Sequence, residues 1–164
     1  MKARVIDDLV VVEDEASVSR LLQRGFGRRE GHRLYLSLVE AVYLLEKGRL
    51  RITRDGRSLS AEELLGQEEG LLTRYAVYRD LRERGYVVRT GFKFGAHFRV
   101  YERGTYPKEH SRYLVHAVRE DDGVSFTELA RAVRLAHTVR KRLLFAVVDD
   151  EGDVTYYGVE RLTP

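Results

Sequence analysis

The sequence contains no cysteine and no asparagine, only two glutamines, and a single methionine at position 1. The missing cysteine excludes disulfides, thiolate nucleophiles and cysteine-ligated zinc sites. Few thermolabile residues beside 34% charged residues are typical of a thermophile's proteins, which are rich in ion pairs. We therefore expect a cytoplasmic protein from a thermophile.

The sequence also lacks any apolar run of about 18 residues, the length at which a membrane-spanning helix is suspected. At the N-terminus, an apolar patch of about four residues is followed at once by acidic residues, which predicts a first strand rather than a signal peptide. The sequence therefore predicts no membrane partner.

Charge is distributed unevenly, although the net charge is only +3. Residues 1–73 carry 12 basic and 13 acidic groups, whereas residues 74–164 carry 17 and 13. Four of the carboxylates in the second half lie within "DDEGD" at 149–153, so the rest of that half sums to +8. A basic body predicts a phosphate-bearing partner, and the acidic segment predicts contact with a second basic surface, such as another copy of the chain.

The first half predicts a small α+β domain, which we assign to residues 1–68. Short strand patterns alternate with short helices, of which "SLVEAVYLLEKG" is the clearest. Ser37 and Glu40 have the spacing of a capping box, and Gly48 marks the helix end. The segment "GQEEG" then interrupts the pattern. No catalytic constellation is evident in this half.

The second half, residues 69–164, predicts the order α-β-β-β-α-β-β and hence a mixed sheet flanked by helices. The whole chain is therefore of the α/β class, in its α+β form. Six consecutive apolar residues at 143–148 predict a strand buried on both faces.

The helix predicted in "SFTELARAVRLAHTVRK" has two distinct faces. Helical spacing predicts a core face made of Phe126, Leu129, Ala130, Val133, Ala136 and His137. A second stripe contains Arg131, Arg134, Thr138 and Lys141. The stripe is either a solvated surface or a contact for a phosphodiester backbone. Lys141 lies at the junction between this helix and the apolar strand that follows it.

Two common kinds of hydrolytic site have little support. A restriction-type nuclease requires an Asp and an acid-x-Lys motif on neighbouring strands, but the corresponding strands here offer Glu102 as their only acid. No two histidines have helical metal-ligand spacing, and no serine lies in a Gly-x-Ser-x-Gly elbow. We therefore expect no metal and no cofactor.

Metal-free RNA cleavage is the chemistry that remains. It needs a base for the ribose 2′-hydroxyl, an acid for the 5′ leaving oxygen, and a cation for the charge that develops on phosphorus. In "YPKEHSRYLVH", His110 lies among charged residues just before an alternating strand. Tyr101 and Lys141 lie at comparable strand junctions, where the three side chains can converge.

Residues 70–161 resemble the catalytic domain of archaeal tRNA-splicing endonucleases. The resemblance rests on an ordered series of motifs: "FKFGAHFRVYERG", "HSRYLVHAV", "LARAVRLAHTVRKRLL" and "FAVVDDEGDVTYY". The segment "LSLVEAVYLLEKGRL" also resembles the N-terminal domain of that family. The resemblance implies a restriction-endonuclease-like C-terminal fold and cleavage of precursor tRNA at bulge-helix-bulge junctions, without metal, giving 2′,3′-cyclic phosphate and 5′-hydroxyl ends.

The resemblance also implies a role for individual residues. Tyr101 would be the general base, His110 the general acid and Lys141 the electrostatic partner of the transition state. We prefer Tyr101 to Tyr106, which lies inside the loop, because "FRVYERG" matches the strand end that carries the family's tyrosine.

Two further groups of residues gain a role from the resemblance. Arg134 and Arg161 are candidates for gripping a bulged base. The acidic segment would enter a basic cleft of a neighbouring subunit, with the last strand pairing subunits. The predicted interface residues are Asp149, Asp150, Glu151 and Asp153. The resemblance implies either a homotetramer or a heterotetramer with a structural subunit.

Two alternatives stay open at this point. The chain could be a non-catalytic RNA-binding or assembly subunit of the same complex. It could also be a metal-dependent DNA nuclease on a similar fold.

Overall fold

A computed structural model describes residues 1–164, which form eleven strands and five α-helices. The chain divides into two compact units, Met1–Leu72 and Thr73–Pro164. The boundary predicted from the sequence, between residues 68 and 69, lies four residues earlier and stays a prediction. None of the helices is long and apolar enough to cross a membrane.

The first unit contains a six-stranded sheet in the order β3-β4-β2-β1-β5-β6. Its strands are β1 (Lys2–Ile6), β2 (Leu9–Val12), β3 (Arg28–Glu30), β4 (Arg33–Leu36), β5 (Arg51–Arg54) and β6 (Arg57–Ser58). The sequence did not predict the edge strands β3 and β6, because "RRE" and "RS" are polar, exposed segments without an apolar residue.

Three short helices complete this unit, and each begins at a side-chain cap. They are α1 (Glu15–Gln23), α2 (Leu38–Glu46) and α3 (Ala61–Leu65), capped by Asp14, Ser37 and Ser60. The predicted capping box of Ser37 and Glu40 is confirmed, with both reciprocal hydrogen bonds present. The capping carboxylate of Glu40 is buried and also accepts a hydrogen bond from the backbone N–H of Gly27, which anchors α2 to the chain after α1.

The second unit has the predicted order of elements and places them in one mixed sheet. Its elements are α4 (Leu71–Glu83), β7 (Val87–Thr90), β8 (Phe98–Tyr101), β9 (Tyr113–Arg119), α5 (Phe126–Thr138), β10 (Arg142–Val148) and β11 (Val154–Val159). The strand order is β11-β10-β9-β8-β7. Only β9 and β10 are parallel, joined by the crossover that contains α5, and every other neighbouring pair is antiparallel.

The inner strand β10 is less buried than its apolar run predicts. Leu143, Ala146 and Val148 are buried, but Leu144, Phe145 and Val147 are only partly buried. Because side chains alternate between the two faces of a strand, Leu143 lies on one face of the sheet, and Ala146 and Val148 lie on the other. The prediction of a strand buried on both faces is therefore confirmed in part, because each face is buried along only part of the strand.

The core face predicted for α5 is also partly wrong. Ala136 is buried and Val133 packs against the core cluster, but Phe126 is 88% exposed, and Ala130 and His137 are exposed. The helix contacts the sheet through its C-terminal half, where Ala136 meets Leu143. Its first turn extends beyond that contact, so apolar residues there have nothing in this chain to pack against.

A hydrogen-bond network joins the last strand to α4. The Tyr156 hydroxyl donates to an Asp80 carboxylate oxygen at 2.6 Å, and the same oxygen accepts from Arg84 Nε at 2.9 Å. Burial, reinforced by the Asp80 carboxylate, raises the pKa of the Tyr156 hydroxyl well above its usual range. The hydroxyl therefore stays a neutral donor, and it fixes β11 to the helix behind it.

We expect Tyr156→Phe to lower the free energy of unfolding by about 1–2 kcal/mol, since a partly buried hydrogen bond to a carboxylate is lost. Chemical denaturation measures this change. Tyr157→Phe is the matched control, because the neighbouring ring is 56% exposed and the expected change is within about 0.5 kcal/mol. Equal effects of the two substitutions would contradict the assignment.

Candidate active site

Backbone hydrogen bonds bring the ends of three strands to one edge of the sheet. The Arg112 N–H donates to the Val100 carbonyl at 2.8 Å, and the Arg142 N–H donates to the Arg112 carbonyl at 2.9 Å. Tyr101 directly follows Val100, His110 lies two residues before Arg112, and Lys141 directly precedes Arg142. The three predicted catalytic residues therefore lie at the same edge, although they are separated by up to 40 positions in sequence.

Lys141 is the most constrained of the three. Its ammonium donates to the Ser111 carbonyl at 2.7 Å and lies 5.6 Å from the centre of the Phe94 ring. Burial lowers the pKa of Lys141, and the positive charge of Arg99 lowers it further. The preceding residue, Arg140, has a left-handed backbone (φ 59°) that ends α5 and turns the chain into β10.

His110 lies in the loop between β8 and β9, and its side chain is exposed. The imidazole makes no hydrogen bond or ion pair within the chain. The loop around it is held by the backbone: Thr105 bonds to the Glu102 carbonyl, and the Glu109 N–H donates to the Thr105 carbonyl at 3.0 Å. The histidine is therefore held on an ordered loop with both ring nitrogens available.

Tyr101 is the last residue of β8 and is only 8% exposed. Its hydroxyl accepts a hydrogen bond from Arg99 Nη1 at 2.8 Å. The Tyr106 ring packs edge-on against it, with ring centres 4.9 Å apart. The two candidate tyrosines are thus in contact, but only Tyr101 is fixed by a hydrogen bond to its hydroxyl.

The one acid on these strands, Glu102, is already occupied. Its carboxylate pairs with Arg112 Nε at 3.1 Å and accepts a longer hydrogen bond from the Tyr113 hydroxyl. No group of three His, Cys, Asp or Glu side chains in the structure could hold a metal ion.

A groove of about 490 Å³ opens beside Lys141, between the end of α5 and the end of β11. Arg134, Arg142 and Arg161 line it together with Lys141. The structure thus places both predicted RNA-binding arginines in one groove with the lysine, whereas Arg131 of the predicted stripe is not among the lining residues. Arg142 was missed because it lies at the start of a strand pattern, and the basic run 140–142 ahead of the apolar residues was the available signal.

Models of two protein-family domains match most of the chain. The model of the tRNA intron endonuclease N-terminal domain matches residues 1–65, and that of the catalytic C-terminal domain matches residues 71–156. The chain belongs to the tRNA intron endonuclease family.

Curated relatives of the family cover nearly the whole chain. The tRNA-splicing endonuclease of Methanothermobacter thermautotrophicus is 47% identical over 97% of this chain and 96% of its own length. The enzyme of the same name from Pyrococcus furiosus is 44% identical over 93% of this chain and 91% of its own length. That of Methanococcus maripaludis is 40% identical over 96% and 92%. The resemblance to archaeal tRNA-splicing endonucleases is therefore confirmed.

In this member of the tRNA intron endonuclease family, the acidic segment forms a tight turn between β10 and β11. The Asp149 carboxylate accepts hydrogen bonds from the N–H groups of Glu151 and Asp153, both at 2.9 Å. Asp149 therefore holds the turn itself. The other three carboxylates, on Asp150, Glu151 and Asp153, are exposed.

Gly91 shapes the chain beneath Lys141. A Cβ at this position would lie 2.8 Å from the Phe98 carbonyl carbon and 2.9 Å from the Ala96 oxygen, both backbone atoms. The Gly91 carbonyl also accepts from the N–H of Phe94, whose ring lies against Lys141. Only glycine permits this close approach of the backbone.

We expect Gly91→Ala to lower stability by about 1–3 kcal/mol through overpacking, and to slow cleavage because Phe94 shifts away from Lys141. Thermal unfolding and a cleavage assay measure the two effects. Gly123→Ala is the matched control, since a Cβ there meets nothing within 4 Å. A Gly91→Ala protein as stable as that control would contradict the prediction.

Proposed function

We propose that this chain is the catalytic subunit of a tRNA-splicing endonuclease. It cleaves precursor tRNA at exon–intron junctions that adopt the bulge-helix-bulge form, without a metal ion, as a tRNA-intron lyase. The observation that carries the proposal is the backbone connection of Val100, Arg112 and Arg142, which supports convergence of Tyr101, His110 and Lys141 at one edge.

The chemistry that these residues support is an internal transesterification. The phenolate form of Tyr101 takes the proton of the ribose 2′-hydroxyl and becomes the neutral phenol, and the 2′ oxygen forms a bond to phosphorus. The bond from phosphorus to the 5′ oxygen breaks, and the leaving oxygen takes a proton from His110. The products are a 2′,3′-cyclic phosphate and a 5′-hydroxyl.

Lys141 would stabilise the negative charge that builds on the phosphate oxygens. A partly buried cation interacts more strongly with such charge than a solvated one, because the local dielectric is lower. Its hydrogen bond to the Ser111 carbonyl and its contact with Phe94 support a fixed position before substrate arrives.

The groove beside Lys141 supports binding of the bulged RNA strand. Arginine side chains stack on unpaired bases and pair with phosphates, and Arg134 and Arg161 offer both contacts within reach of Lys141. We propose that these two arginines grip a bulged base next to the cleaved phosphate.

The assembly we propose is a homotetramer, or a heterotetramer with a structural subunit. The exposed carboxylates of Asp150, Glu151 and Asp153 support insertion of the acidic turn into a basic cleft of a neighbouring subunit, with Asp149 shaping the turn. The edge strand β11, with Tyr157 exposed, supports pairing of subunits through the last strand.

The decisive test is incubation of the purified protein with a bulge-helix-bulge RNA in EDTA. We expect cleavage at both bulges, with cyclic phosphate and 5′-hydroxyl ends identified by mass spectrometry. An RNA with a single 2′-deoxy nucleotide at each cut site should resist cleavage. Absence of cleavage by the protein, both alone and with extract of the source cells, would overturn the proposal.

The same assay distinguishes the two alternatives. Activity that appears only after a second subunit is added, and survives substitution of all three residues of this chain, would identify a non-catalytic RNA-binding or assembly subunit. Activity that EDTA abolishes and that accepts the 2′-deoxy substrate would identify a metal-dependent nuclease. The pairing of Glu102 with Arg112 disfavours the second alternative, because a free carboxylate is needed there as a ligand.

A further inference from the structure

A guanidinium group lies against the hydroxyl of Tyr101. Arg99 precedes Tyr101 by two positions on β8, so both side chains leave the strand on the same face. Arg99 Nη1 donates to the tyrosine oxygen at 2.8 Å, and its guanidinium carbon lies 5.7 Å from the centre of the tyrosine ring.

The other side of the guanidinium is tied to the neighbouring strand. Arg99 Nε donates to the carbonyl oxygen of Thr90, the last residue of β7, at 3.0 Å. The guanidinium is planar, so fixing Nε and Nη1 fixes the direction of the whole group. The arginine therefore links the tyrosine hydroxyl to the Thr90 carbonyl of the neighbouring strand.

Arg99 has no acidic partner, unlike Arg112, which lies on the neighbouring strand end. Arg112 pairs with Glu102 and Arg84 pairs with Asp80, whereas both side-chain hydrogen bonds of Arg99 go to uncharged oxygens and none of the ion pairs includes it. The arginine is half-buried, and a partly desolvated cation without a carboxylate costs stability. A group that bears negative charge during the reaction would offset that cost.

We propose that Arg99 is a positioning residue for Tyr101: it fixes the phenolic oxygen at the end of β8 and stabilises negative charge on that oxygen. The proposal rests on the proposed function of Tyr101 as the base. A guanidinium does not lose its proton in a protein, so the donor is present at every working pH. The hydrogen bond strengthens when the oxygen carries charge, so its effect falls on the chemical step more than on RNA binding.

The test compares Arg99→Met, Arg99→Lys, Tyr101→Phe and the double variant Arg99→Met/Tyr101→Phe in single-turnover cleavage of the bulge-helix-bulge RNA. We expect Arg99→Met to lower the maximal rate about 10–100-fold with an unchanged half-saturating RNA concentration. Arg99→Lys should recover part of that loss, because an ammonium can still donate to the oxygen. In the Tyr101→Phe background, adding Arg99→Met should lower the rate by no more than about threefold.

Two outcomes would overturn the proposal. One is full multiplication of the two single effects, which would show that Arg99 acts independently of the tyrosine. The other is a raised half-saturating concentration with an unchanged maximal rate, which would make Arg99 an RNA-binding residue. Arg119→Met is the matched control, since Arg119 lies at the opposite end of β9 and pairs with Asp121, and it should cleave like the unmodified protein.

The experiment also distinguishes failure of the inference from a folding defect and from failure of the proposed function. Melting temperatures of all variants show whether Arg99→Met is folded. If it is not, Arg99→Lys, which keeps the positive charge but changes its shape, keeps the test decisive. If the unmodified protein does not cleave the RNA, the proposed function fails and the inference falls with it. If the unmodified protein cleaves and the double variant shows independent effects, only the inference fails.

Discussion

Replacing His110 with alanine is expected to slow cleavage by about 10²–10⁴-fold, the usual contribution of a positioned proton donor. The leaving 5′ oxygen is a poor leaving group unless it is protonated as the bond to phosphorus breaks. His110 lies on an ordered loop at the edge that Tyr101 and Lys141 share, with no partner in the chain for its imidazole. Its loss should therefore lower the rate without unfolding the protein, as measured by single-turnover cleavage and thermal unfolding.

His32→Ala is the matched control, because His32 is exposed in the first unit of the chain and only approaches Glu13 at 3.8 Å. We expect it to cleave at the normal rate. The role of His110 as an acid is tested separately with an RNA that carries sulfur in place of the bridging 5′ oxygen. A thiolate leaves without a proton, so His110→Ala should lose most of its defect on that substrate, whereas Tyr101→Phe should keep its own.

An equal defect of His110→Ala on the oxygen and sulfur substrates would contradict the assignment as general acid. It would then assign His110 to RNA binding or to the role of general base, and Tyr101 would become the candidate for the general acid. The comparison therefore decides which residue protonates the leaving oxygen.

The local sequence pattern predicted helices and strands well where the side chains of the segment itself determine its backbone conformation. Ser37 and Glu40 specify the start of α2 by their own hydrogen bonds, and the seven elements of the second unit follow from alternation and helical spacing. The edge strands β3 and β6 were not predicted, because they form by pairing with a neighbouring strand and not through a pattern of their own. A three-residue polar segment carries no periodicity that would predict it.

Burial was harder to predict than secondary structure. The spacing of Phe126 and Ala130 describes a helix face correctly, but it does not say how far the sheet extends beneath that face. The six apolar residues of β10 pose the same problem, since Leu144 and Val147 are apolar and only partly buried. An apolar surface intended for another subunit has the same sequence pattern as a core, and the proposed assembly would cover such a surface.

The candidate site shows the same division. Tyr101, His110 and Lys141 were predicted because each lies at a junction and matches a family motif, and the structure brings the three backbone positions to one edge. Their supporting contacts could not be predicted. Strand register and the path of the loop determine which carbonyl accepts a hydrogen bond from Lys141 and which guanidinium contacts Tyr101. Local residue spacing predicts neither of them.

Replacing Lys141 with alanine is expected to slow cleavage by about 10²–10³-fold, the range found when one preorganised donor to a developing charge is removed. Lys2→Ala is the matched control, since Lys2 is an exposed residue of β1 in the other unit. Lys141→Arg should keep part of the activity, because the positive charge remains while its shape changes. A Lys141→Ala protein with full activity would remove the lysine from the mechanism.

The environment of Lys141 also predicts a pH dependence with a definite sign. Burial and the Arg99 charge both disfavour the ammonium form, so the pKa of Lys141 lies below the usual 10.5. The ammonium is therefore complete at lower pH and is lost as pH rises through this lowered value, and the part of the rate that depends on it is lost with it. In Lys141→Arg this alkaline loss should disappear, since a guanidinium does not titrate there.

The lowered pKa can be measured directly, because the chain has only five lysines: Lys2, Lys47, Lys93, Lys108 and Lys141. With ¹³C-labelled lysine side chains, one of five NMR signals should titrate at lower pH than the rest, and Lys141→Arg should remove that signal. Arg99→Met should shift its titration toward higher pH, because one of the two causes of the lowered pKa is gone. A Lys141 signal that titrates with the other four would show that the ammonium is as well solvated as on the surface, and it would weaken the electrostatic role that burial gives it.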